Sequence, residues 1–158
     1  MSMSIKKSRL FKLLAVATLG VIMAIGTALP SFASNDDRAF RFTTQGDYSK
    51  EVFISPREKE NSTSIYCWIQ NSTNKKVTSA RVNARGSKEI YLSKDWSYCN
   101  SSKGYGRTMQ VGTSYFIYNN VNEAGFKYAS LSFASSSAST FNGVWSPDSV
   151  YQSGVAQI

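Results

Sequence analysis

The chain has 158 residues, 42% hydrophobic and 13% aromatic, with a formal charge of +8. It contains no histidine, which excludes Ser-His-Asp and Cys-His catalysis and every zinc site built on imidazole. The length allows one domain with a real core and is too short for two.

The first element reads as an export signal. Lys6, Lys7 and Arg9 make a basic start with Lys12 just inside, and Leu13 to Leu29 carries no charge. Ser31-Phe32-Ala33 then places small residues at positions −3 and −1 of a cleavage site. Residues 1–33 are therefore a signal peptide cleaved after Ala33, with an uncleaved membrane anchor as the alternative. Four of the 18 cations and none of the 10 acids leave with it, so the working charge falls from +8 to +4. That suits solubility and weak attraction to anionic wall polymers or lipid head groups, and does not suit a nucleic-acid reader. No cysteine follows the apolar run directly and no sorting tail closes the chain. A secreted, freely released protein is expected, not an integral membrane protein once cleaved.

A flexible tail over residues 34–38, with Asp36-Asp37, leads into a single domain over 39–158. Apolar residues recur there at period two and nothing reads as a helix. Ala39 to Thr43 puts Phe40 and Phe42 on one face, and Val52 to Ile54 stops at Pro56. Ser62 to Gln70 is the clearest strand, with Thr63, Ile65, Cys67 and Ile69 on one side and Tyr66 and Trp68 on the other. Asn71 to Lys76 is a polar turn. Val77 to Ala84 returns with Ala80, Val82 and Ala84 inward and Arg81 and Asn83 opposite, before Arg85-Gly86-Ser87 turns the chain into a strand over Lys88 to Ser93.

Lys94 to Gly106 is irregular. Thr108 to Val111 and Ser114 to Asn120 are strands broken at Gly112, and Asn122 to Gly125 is a turn. Tyr128 to Ala134 carries Ala129, Leu131 and Phe133 on a common face. Ser135 to Ser139 is too polar for core, and Phe141 to Trp145 is the last strand, ended by Ser146-Pro147. Short strands with no helical crossover require antiparallel connection. The fold class is all-β, an antiparallel two-sheet sandwich of Ig-like or jelly-roll-like kind.

Cys67 and Cys99 are the two cysteines. In an oxidising compartment they most simply form one disulfide, whose loop of about 33 residues would be worth roughly 3–4 kcal/mol. A buried free thiol at Cys67 and an intermolecular bridge are the alternatives.

The candidate binding residues are Trp96, Tyr98, Tyr105 and Arg107, with Lys94 and Lys103 beside them in the irregular segment, and Trp145 in Trp145-Ser146-Pro147-Asp148. Aromatic rings in a serine- and glycine-bearing loop mark recognition surfaces. The competing reading has the loop covering a sheet edge and Trp145 plugging one end of the core. Glu123 and Asp148 are the one carboxylate pair considered for acid–base work or Ca²⁺, and nothing in their spacing requires it.

From Asn119 onward the chain resembles a known group. Asn119 to Phe126, Ala129-Ser130-Leu131 and Gly143-Val144-Trp145-Ser146-Pro147-Asp148-Ser149 are similar to the C-terminal half of small exported proteins of Gram-positive bacteria, which fall in domain families of unknown function. Phe40-Arg41-Phe42 and Arg57-Glu58-Lys59-Glu60-Asn61 are compatible with their N-terminal half. The resemblance implies a secreted β-sandwich-like domain and brings no catalytic residues.

The leading functional expectation is a secreted, non-enzymatic binding protein, acting on a cell-envelope polymer or an extracellular protein partner. It needs no cofactor and no metal. An exported bacteriocin-like antagonist of neighbouring cells is the alternative, and a His-free glycan hydrolase using Glu123 and Asp148 is a remote one.

Overall fold

Alternation of apolar and polar residues builds the frame, because successive side chains on a strand point to opposite faces. In β1 (Arg38–Gln45), Phe40, Phe42 and Thr44 are buried while Ala39, Arg41, Thr43 and Gln45 face out. A computed structural model describes residues 36–91, 96–101 and 106–158, all within one compact unit. The signal segment Lys6 to Ala33 lies outside the described residues, as do Leu92, Ser93, Lys94, Lys103 and Tyr105.

The protein is all-β, with two sheets and no helix among the described residues. The first sheet holds β1, β10 (Ala138–Ser146), β4 (Ile65–Ser72), β8 (Ser114–Ile117) and β11 (Ala156–Gln157), in that order. In the second, β2 (Val52–Phe53), β9 (Tyr128–Ala134), β5 (Ser79–Ser87) and β6 (Ser97–Tyr98) follow one another. There β3 (Arg57–Glu58) also pairs with β9, and β7 (Arg107–Gln110) with β5. Antiparallel pairing dominates, but β11 runs parallel to β8. The strict antiparallel rule misses this pair because β11 has only two residues and returns late, with no need of a tight hairpin.

The sheets meet through aromatic rings. Phe42 of the first sheet stacks on Phe133 of the second at 4.3 Å between centroids and on Phe141 at 5.0 Å. Phe40 reaches Phe133 at 5.8 Å. Ile65, Cys67, Ile69, Val82, Leu131 and Trp145 complete a single buried cluster with them. Each ring pair adds about 0.5–1.5 kcal/mol beyond the area it buries.

β10 bulges between Asn142 and Gly143 against β4. A Cβ at Gly143 would sit 2.1 Å from the Trp68 carbonyl oxygen and 2.6 Å from Phe40 Cζ. Glycine is needed there for space.

Several sequence expectations change. β1 begins at Arg38, opposite Trp145, and Arg57 Nη1 donates to the Asp36 carbonyl at 2.6 Å. Arg85-Gly86-Ser87 does not turn but continues β5, paired with β9 through Ser87 and Tyr128. Residues 88–91 are bends, with Ile90 and Tyr91 exposed, because β5 has already taken the pairing available there. The serine run is not wholly outside. Ser135 and Ser139 are buried, and their hydroxyls lie 2.6 Å from those of Thr44 and Ser72. Mutual hydrogen bonding lets a polar run enter the interior.

The disulfide is not formed. Cys67 lies on β4 and Cys99 just after β6, in different sheets, and both are buried free thiols. Each acts as a small hydrophobe. The Cys99 sulfur fills the space above Gly86, where a Cβ would come within 2.7 Å of it. Burial pushes the Cys67 thiol well up, and that of Cys99 up to about 11 against a small opposing pull from Arg85.

Candidate functional site

The outer face of the second sheet departs from the usual exposed polar surface. Alternation on β5 turns Ala80, Val82 and Ala84 into the core and Arg81, Asn83 and Arg85 away from it. On β9 the outward residues are Ser130 and Ser132. Yet Asn83, Arg85, Ser130 and Ser132 are all buried, so something covers them. The cover includes Glu51, Phe53, Trp96 and Tyr98.

Glu51 organises the cluster. Its Oε2 accepts from Ser132 Oγ at 2.8 Å and from Arg85 Nη2, and its Oε1 accepts from Asn83 Nδ2 at 2.7 Å. Arg81 Nη2 is 3.9 Å from Oε1, and the Tyr98 hydroxyl is 3.4 Å from it. Arg85 also donates from Nε to Ser132 Oγ at 2.9 Å and from Nη1 to the Trp96 carbonyl at 3.1 Å. These bonds meet the cost of burying a guanidinium, which unpaired would be severe.

Rings close over both arginines. The Arg85 guanidinium lies 3.2 Å from the Tyr98 ring centroid and 5.3 Å from that of Phe53. The Arg81 guanidinium lies 5.0 Å from the Tyr48 ring, and its Nη2 donates to the Tyr48 carbonyl. A cavity of about 330 Å³ opens among Tyr48, Glu51, Phe53, Arg81, Arg85 and Tyr98. Gly106, at φ +47°, lets the chain pass 2.7 Å from the Arg81 stem, measured from where a Cβ would stand.

The expected binding residues separate. Tyr98 is half exposed and sits over Arg85, at the rim of this cavity. Trp96 is buried, with Nε1 donating to the Tyr91 carbonyl at 2.7 Å, so it supports the site and offers no surface ring. Trp145 is buried in the core, as the structural reading has it. Arg107 lines another cavity, with Tyr118 and Gln157, and does not line the one beneath Tyr98. Tyr105 lies outside the described residues.

Asp148 does not pair with Glu123. It is fully buried and accepts from Lys59 Nζ at 3.0 Å, from the Glu60 amide at 2.9 Å and from the Asn61 amide at 3.3 Å. Glu123 is exposed. The three donors to Asp148 make it an anchor between the segment after β3 and the turn after β10.

Glu51, Arg85, Tyr48 and Phe53 were not singled out by the sequence. Arg81-Val82-Asn83-Ala84-Arg85 did carry a signal, since its polar positions share one strand face. Reading Arg85 as the start of a turn hid it.

A family model matches residues 29–149: that of DUF2712, described as a protein of unknown function. No curated protein and no solved structure matches the chain.

Proposed function

The chain belongs to that DUF2712 family, and we propose that it is a secreted, non-enzymatic binding protein acting at the bacterial cell envelope or on an extracellular partner. The observation that carries this reading is the Arg85–Tyr98 pair. A half-exposed ring is held against a buried guanidinium, which Glu51 and the Trp96 carbonyl fix from behind. Ordering such groups in advance lowers the entropy cost of binding. Tyrosine and arginine are also the residues that most often dominate binding energy. The basic start and uncharged run from Lys6 to Ala33 support export. A chain without histidine, whose half-buried Glu51 and buried Asp148 are committed to fixed donors, supports binding over catalysis.

The test is sedimentation of the released protein with isolated bacterial envelopes and with extracellular protein fractions. Tyr98→Ala should weaken whichever association the wild type makes by about tenfold, while its melting temperature stays close to wild type. Equal association of wild type and variant would overturn the site. Turnover of an envelope glycan, or growth inhibition of neighbouring bacteria, would replace the function with hydrolysis or antagonism.

A further inference from the structure

Phe53 lines the cavity beneath Tyr98 and also a second cavity, of about 380 Å³, between β1 and the chain at residues 53–57. β1 is the terminal strand of its sheet, so one of its sides has no strand partner among the described residues. Arg38, Arg41 and Arg57 line this second cavity, and among the described residues no carboxylate does.

Arg38 and Arg41 are exposed. Arg57 is held in place: its Nη1 donates to the carbonyls of Asp36 and Trp145, at 2.6 and 3.2 Å, and its guanidinium lies 5.8 Å from the Trp145 ring. On the other side of Phe53 stand Arg85 and Arg81, and among the described residues the Arg81 Nε is buried without a hydrogen-bond partner. Register sets the span. Arg57 pairs with Ala129, which pairs with Gly86, and Arg81 precedes Gly86 by five residues on β5. At the usual rise of a strand this is about 17 Å along the strand direction, with two strand spacings across it.

Acids temper the charge without cancelling it. Glu51 sits between Arg81 and Arg85, and Asp36, Asp148 and Asp37 lie within electrostatic reach of Arg57. Five guanidiniums, with Lys59 paired to Asp148, against four carboxylates leave a cationic surplus.

Building on the binding reading above, we propose that the two cavities form one track for a linear polyanion, a polymer bearing phosphate or carboxylate groups at regular spacing. Arg81 takes one charged group, Arg38, Arg41 and Arg57 take another, and Phe53 contacts the uncharged stretch between them. Guanidinium forks match both anions. Two weak contacts on one chain reinforce each other through effective concentration, so a single anion binds poorly where a polymer binds well. Arginines on an edge strand also discourage edge-to-edge aggregation. That role alone predicts no ligand at all.

The test measures binding of the full chain, as released by the expressing cell, to poly(glycerol phosphate), to polygalacturonate of matched charge, and to glycerol phosphate as the single anion. The wild type should prefer polymer over the single anion by about tenfold or more. Arg38→Gln/Arg41→Gln and, separately, Arg81→Gln should each lose most of that preference and show a shallower dependence on salt, with melting temperatures near wild type. Binding to only one polymer supports the track and identifies its anion as phosphate or carboxylate. Binding to neither polymer overturns the proposal, as does equal binding by wild type and both variants. If polyanions fail while Tyr98-dependent association persists, the track falls and the binding protein stands. If both fail, both readings fall.

Discussion

Lys59 and Asp148 form an ion pair at 3.0 Å with both side chains fully buried, 89 residues apart in the chain. Lys59 Nζ also donates to the carbonyls of Thr63 and Pro147, each at 2.7 Å. Burial lowers the Lys59 pKa, and Asp148 pulls it back toward its ordinary value. The pair thus ties the segment after β3 to the turn after β10. Removing one partner strands a buried charge, so Asp148→Ala should cost about 3–5 kcal/mol in denaturant unfolding. The Lys59→Met/Asp148→Leu double variant should recover most of that loss. A single variant as stable as wild type would mean that water reaches the site.

Trp96 and Tyr98 should separate cleanly in stability. Trp96 is buried and donates to Tyr91, so Trp96→Ala should cost about 3–5 kcal/mol. Tyr98 is half exposed, and its hydroxyl bond to Glu51 is long at 3.4 Å, so Tyr98→Ala should cost about 1 kcal/mol or less. Thermal melts of the two variants, run side by side, check the order. A reversed order would put Tyr98 in the core.

Both cysteines should resist modification in the native protein. Only the thiolate reacts, and burial keeps the Cys99 thiol protonated up to about pH 11. Iodoacetamide at pH 8 should leave the folded chain unlabelled and add two groups after denaturation. An intact mass two hydrogens lighter than the dithiol would contradict the structure.

The raised Cys99 pKa also has a sign in stability. Between pH 9 and about 11 the unfolded thiol has lost its proton while the folded one still holds it, so the native state binds more protons. Wild-type stability, measured relative to Cys99→Ala, should therefore fall as pH rises through that window. A flat difference would mean that Cys99 is not buried.

Gly143→Ala should be costly although alanine is small. Its Cβ would stand 2.1 Å from the Trp68 carbonyl, and backbone on a paired central strand cannot easily move aside. About 2–3 kcal/mol is expected from overpacking of this kind. Urea unfolding checks it, and a neutral substitution would show that the bulge relaxes.

Period-two alternation made the strands legible: Phe40 and Phe42, Ile65 to Ile69, and Ala80 to Ala84 all face inward as their spacing requires. It failed where a polar residue finds partners inside. Ser135 and Ser139 look like loop until Thr44 and Ser72 stand opposite them. Arg85 likewise looks like a turn residue until Glu51, 34 positions away, accepts its charge.

Taken alone, the sequence determines the all-β class, the inward faces of the long strands and the exclusion of imidazole chemistry. These follow from local spacing and composition. Only the tertiary structure decides which polar residues are buried, which cysteines are neighbours and which rings remain at the surface. Trp96 and Tyr98 are two positions apart in the same segment, yet one is buried and the other half exposed. That difference depends on what packs across from each side chain, and spacing along the chain does not encode it.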